Sequence, residues 1–138
     1  MSENEVRMGQ RFLIDTNILI YYLNGILPAQ SEEKIDAIFD DSLNISVISK
    51  IEFLGWYGFS EKDYHKAELL VSASNILLLT DDVAEIAIQL RKQNNIKLAD
   101  AIIAATALSH EMILVTRDEK DFMKIDSLKI YNPFRNKD

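Results

Sequence analysis

Apolar positions along the chain fall into two alternating kinds of run. Short runs rich in Ile, Leu and Val recur: "RFLID" near 11–15, "NISVIS" at 44–49, "ILLLT" at 76–80, "MILVT" at 112–116 and a weaker "LKIYNP" at 128–133. Runs of this length, bounded by polar residues, fit buried strands. Between them lie longer stretches with apolar residues at helical spacing. "NILIYYLNG" predicts a short helix that Asn24 and Gly25 end. "SEEKIDAIFDD" sets Ile35, Ile38 and Phe39 at helical spacing behind Ser31 as an N-cap. A helix opens at "KIEFLGWYGF", and another opens on a capping box from Ser60 to Asp63. "DDVAEIAIQLRKQNN" starts with acids and ends near Arg91 and Lys92, which complements the helix dipole.

The next helix differs in kind. In "KLADAIIAATALSHEM", Leu98, Ala99, Ala101, Ile102, Ile103, Ala104, Ala105, Ala107 and Leu108 cover most of the helix circumference, so the helix is buried. Strands alternating with helices define the fold class as α/β. The expected architecture is a mostly parallel central sheet of four to five strands flanked by helices, with "LKIYNP" at an edge closed by Pro133. In such sheets ligands bind beyond the carboxyl ends of the strands.

The acids fall where that rule points. Asp15 ends the first strand, directly after three apolar residues. Glu52 follows the second strand, in the first turn of the next helix, and Asp118 lies two residues past Thr116. Asp100 stands in the first turn of the buried helix, with only Lys97 nearby in sequence to pair with it. A carboxylate in such a setting is costly unless something positive faces it. Singly, Asp15 reads equally well as a helix cap, and Glu52 and Asp118 as solvated polar residues. Their joint placement at one end of one sheet points to a shared cause. Hard divalent cations such as Mg²⁺ or Mn²⁺ bind carboxylate oxygens, and they can activate water for phosphodiester hydrolysis without a nucleophilic side chain.

Composition narrows the classes without changing that picture. The 138 residues suit one domain, and 4 Gly and 2 Pro leave little linker composition. The expected division is a flexible N-terminal segment at 1–10, a folded unit at 11–134 and a C-terminal tail at 135–138. The chain has no cysteine, which excludes disulfides and thiol catalysis. No apolar run approaches the ~18 residues of a membrane span, and the N-terminus lacks a secretory signal pattern, so a cytoplasmic protein is expected. The net charge of −7 argues against gripping nucleic acid over the whole surface, but suits a cation-filled site or a basic protein partner. His65 and His110 are poorly placed for a catalytic base.

Taken in order, "FLIDTNILIYYL", "ISVISKIEFLGW", "KLADAIIAATAL" and "ILVTRDEKDF" resemble the successive motifs of PIN-domain ribonucleases, and more closely the VapC toxins of toxin–antitoxin systems. The resemblance spans residues 11–134. It implies a single PIN-like domain and a metal-dependent endoribonuclease that cuts RNA with a metal-activated water. It also implies that Asp15, Glu52, Asp100 and Asp118 are the catalytic, Mg²⁺- or Mn²⁺-binding acids, with Asp121 the other candidate in the last motif. Thr16 and Thr116 would orient carboxylates or waters, and Asn17 would brace the local backbone. Ala99 stands where many relatives have Pro, a difference expected to touch stability more than chemistry. The resemblance implies a homodimer and a cognate antitoxin. Trp56, Tyr57 and Phe59 in "FLGWYGF" are candidate antitoxin contacts or, equally, core aromatics. Two alternatives remain. A receiver-type phosphoacceptor domain would use Asp81 after the third strand, but no Lys is suitably placed after the last. A PIN-like module could also bind RNA or protein without cutting.

Overall fold

The computed structural model describes residues 9–135. Residues 1–8 of the expected flexible segment and 136–138 of the expected tail lie outside the described residues. Five strands, β1 (Phe12–Ile14), β2 (Asn44–Ser46), β3 (Asn75–Leu77), β4 (Ile113–Val115) and β5 (Ile130–Tyr131), form one sheet in the order β3-β2-β1-β4-β5. Every pairing among the described residues is parallel.

The side-chain period of 2 along β1 explains the layers. Phe12 and Ile14 enter one core, shared with Ile45 and Val115, and Leu13 enters the other, shared with Leu114. A strand buried on both faces has to read as a continuous apolar run, as this one does. Helices α1 (Thr16–Leu23), α2 (Ala29–Asp41), α3 (Val47–Leu54) and α4 (Glu61–Ser72) contribute apolar residues to the first core. Helices α5 (Asp81–Gln93), α6 (Leu98–Ser109) and the single turn α7 (Glu119–Phe122) line the second. α6 is buried from Ala101 through Ala107, and α5 packs along it. Leu98 is the exception to the expected burial, being 58% exposed.

Several local signals act as read. α1 ends with Asn24 as its C-cap, and Gly25 takes the left-handed conformation at φ 66° that a non-glycine residue resists. Ser60 caps α4 through the amide of Asp63, and Thr80 caps α5 through that of Val83. Two boundaries differ from expectation. α2 starts at Ala29, after Pro28, so Ser31 lies inside the helix. Its hydroxyl donates to the Pro133 carbonyl instead of capping. β2 stops at Ser46, whose side chain accepts from the Ile48 amide and starts α3 at Val47. Glu52 is therefore the sixth residue of α3, in its second turn.

Candidate active site

Asp15, Asp100 and Asp118 ride on the starts of helices, Glu52 stands in the second turn of α3, and the sheet brings all four to one place. Asp15 is the N-cap of α1 and follows β1 directly. It is 6% exposed. Its Oδ1 accepts from the Thr16 amide at 2.8 Å, and its Oδ2 accepts from the Thr116 hydroxyl at 2.8 Å. Thr116, fully buried, follows β4; its oxygen also accepts from the Asp118 amide at 2.9 Å. One hydroxyl thus links the acids after β1 and β4. The Thr16 hydroxyl does similar work on the other side: it donates to Glu52 Oε1 at 2.7 Å and lies 2.9 Å from Ser49 Oγ. A hydroxyl has one proton, and the carboxylate is the stronger acceptor, so Ser49 serves as the donor in the second contact.

Asp15, Glu52, Asp100 and Asp118 line one cleft of about 300 Å³, together with Thr16, Asn17, Ile20 and Trp56. Asp100, Asp118 and Asp121 each offer a carboxylate oxygen, and these oxygens lie within 4.8 Å of one another. The two acids of the last motif are therefore not exclusive: Asp118 faces the cleft, and Asp121 joins it beside Asp100. Asn17 is exposed at the cleft wall rather than built into backbone. Ser49, fully buried, was missed in the sequence. Its signal was the three-residue step to Glu52, which puts both on one helix face.

The electrostatics match an acid cluster in which burial and like charge outweigh one nearby cation, Lys97. Burial pushes the Asp15 carboxyl up to about 6, against the hydrogen bonds from Thr116 and Thr16 and with help from the charges of Asp100 and Glu52. Burial likewise raises Asp100, and Asp118, Asp121 and Glu52 raise it further while Lys97 opposes them. Asp118 is raised by burial and then by its neighbour Asp121. Lys97 is the cation that opposes the shifts of both Asp100 and Asp118. The donor set is entirely hard oxygen, and a divalent cation is the ligand type that offsets such crowding.

The aromatics after Glu52 divide between core and surface. Phe53 is fully buried, Phe59 is half-buried, Trp56 is 46% exposed and Tyr57 is 98% exposed. Phe59 meets both Phe53 and Trp56 edge to face, at 5.6 Å and 4.9 Å between ring centres. The receiver-type arrangement fails on topology. That class orders its strands 2-1-3-4-5, whereas here β1 is central and Asp81 starts α5 beyond the edge strand β3.

The fold is a three-layer parallel α/β domain, with its acids on one cleft. Residues 12–128 match the PIN domain model, and the chain belongs to that family. Its relatives carry one further name. It is 30% identical over 122 residues to Ribonuclease VapC10 of Mycobacterium tuberculosis, covering 85% of this chain and 90% of that protein. It superposes on a toxin–antitoxin complex chain from Klebsiella pneumoniae with TM-score 0.69 and 33% identity, over 90% of this chain and 98% of that one. VapBC-1 from nontypeable Haemophilus influenzae gives TM-score 0.75 at 27% identity, over 91% and 100% of the two chains.

Proposed function

We propose that this chain is a metal-dependent endoribonuclease and the toxin of a VapBC-type toxin–antitoxin pair, with Asp15, Glu52, Asp100 and Asp118 as its catalytic acids and Asp121 in support. The observation that carries the reading is the convergence of these carboxylates, from four separate segments, on one cleft. The names of the relatives, ribonuclease and toxin–antitoxin complex, support the same class.

The carboxylates of Asp15, Glu52, Asp100 and Asp118 would hold Mg²⁺ or Mn²⁺. When bound, such an ion supplies a water of lowered pKa and offsets the charge that develops on the phosphate and the leaving oxygen. The chain's own residues prepare the site. Thr116 commits its proton to Asp15 and its lone pair to the Asp118 amide, which fixes the spacing of those two acids. Thr16, backed by Ser49, holds one oxygen of Glu52, which lines the cleft. Lys97 balances part of the charge near Asp100 and Asp118.

The same reading makes RNA the substrate, the cytoplasm the place of action, and a basic antitoxin segment and a second copy of the chain the protein partners. The chain's charge of −7 suits a basic partner, and Tyr57, with Trp56 and Phe59 behind it, offers an aromatic anchor beside the cleft. Among the described residues no helix is long and apolar enough to cross a membrane.

Incubating RNA with the protein and Mg²⁺ or Mn²⁺ tests the proposal. Internal cleavage is expected from the parent chain. Asp15→Asn and Asp100→Asn should each lower the rate at least a hundredfold, in the range lost when one preorganised electrostatic contact is removed. Cleavage unchanged in both variants would remove the assignment. RNA binding without cleavage in the parent would favour the non-cutting PIN-like module.

A further inference from the structure

Trp56 is the aromatic residue of the cleft wall, and neither the acids nor the core accounts for it. It lines the cleft with Asp15, Glu52, Asp100 and Asp118, yet 46% of it is open to solvent. Its ring is not loose. The edge-to-face contact with Phe59 braces one side, and Phe59 is itself braced by buried Phe53. The indole also lies directly on Gly58. A Cβ there would come within 2.4 Å of the ring carbons Cη2 and Cζ2. Glycine at 58 lets the ring approach this closely, and no positive φ requires it there. A large, preset aromatic face therefore stands beside the carboxylates, with Ile20 as its apolar neighbour in the same wall.

Resting on the nuclease reading above, we propose that Trp56 is a stacking platform for an unpaired base next to the scissile phosphate. Every base offers a π-face to an aromatic ring, and a preset ring loses little freedom on binding. In a duplex both faces of an internal base are covered by its neighbours, so only a splayed or unpaired nucleotide can meet Trp56 while its phosphate reaches the acids. Sequence preference on this contact is weak, because stacking reads the face and not the edge of the base.

Trp56 is the only tryptophan in the chain, so its fluorescence reports the contact directly. The test uses the full chain carrying Asp100→Asn, to suppress turnover, in Mn²⁺. It is titrated with a short unstructured RNA and with a blunt duplex of the same composition, each carrying a dye for anisotropy. Expected are quenching of the indole by the single strand and none by the duplex. Adding Trp56→Ala should weaken single-strand binding by roughly tenfold, the order of one base–aromatic stack, and Trp56→Phe should recover most of it. Gly58→Ala keeps the indole but displaces it, and should also abolish the quench; circular dichroism melts would verify folding. Single-strand binding without quenching, equal quenching by both RNAs, or unaltered affinity in Trp56→Ala would overturn the platform while leaving the nuclease reading intact. Quenching by a basic peptide and by neither RNA would overturn the platform alone and assign the ring to the protein partner, whereas failure of the parent chain to cleave RNA in Mg²⁺ or Mn²⁺ would overturn the nuclease reading and the platform with it.

Discussion

At the scale of single residues, the protein keeps its most buried acid only at a cost. Asp15 titrates near 6 in the folded chain against 3.8 unfolded, chiefly because it is buried. A raised carboxyl favours the protonated folded state. The stability it contributes is full below 3.8 and is lost as pH rises through about 6, by about 3 kcal/mol in all. Asp100 and Asp118 shift in the same direction. In EDTA the parent chain should therefore melt at a lower temperature near pH 7.5 than near pH 5, with differences of several degrees expected. Asp15→Asn should flatten that profile, since an amide keeps the acceptor for the Thr16 amide and carries no charge. Asp100→Ala should raise the metal-free midpoint at neutral pH. A large fall instead would mean that the carboxylate is held for structure. The sequence exposed this tension at Asp15 and Asp100, because apolar neighbours flank both. It could not pair Ser49 with Thr16 or the Thr116 hydroxyl with Asp15, since contacts across 33 and 101 residues leave no local pattern.

At the scale of elements, most helices were legible, and their failures have physical causes. β-branched Val47 and Ile48 favour strand locally, so "NISVIS" read as one strand. Helix propensity is a weak prior, and the Ser46 cap with burial of α3 against the sheet outweighs it. Ser31 followed by two glutamates imitates a helix start, but Pro28 had already begun the helix and Pro133 takes the hydroxyl. The strands are only two or three residues long, shorter than the apolar runs that announce them, which leaves Leu78 and Leu79 exposed beyond β3. The caps allow a clean test away from the cleft. Ser60→Ala removes the acceptor for the Asp63 amide and should cost about 1 kcal/mol by urea unfolding, without altering the rate of RNA cleavage. An altered rate would show that α4 is coupled to the site. Within α6, Ala104 is fully buried in the core that α5 and α6 share. Ala104→Leu should overpack it by about 1–3 kcal/mol.

At the scale of the whole molecule, the candidate site was more legible than the boundaries that carry it. An error of two residues at the end of a strand does not change which end of the sheet an acid occupies. With all strands parallel, that end is common to Asp15, Glu52 and Asp118. The strand order was not written in the runs themselves; right-handed crossovers that cover both faces admit this order and others, 2-1-3-4-5 among them. The dimer implied by the family reading belongs to this scale too. Sedimentation should give twice 15.8 kDa, and a monomer at all concentrations would remove that part of the reading. On the proposed function, cations hold these remote carboxylates together. Titration of Mn²⁺ into the metal-free chain, followed by the electron paramagnetic resonance of the free ion, measures it most directly. The parent should bind Mn²⁺ and melt at a higher temperature when loaded, and Asp100→Asn should bind at least tenfold more weakly; a parent chain that takes up no more Mn²⁺ than Asp100→Asn would contradict the account.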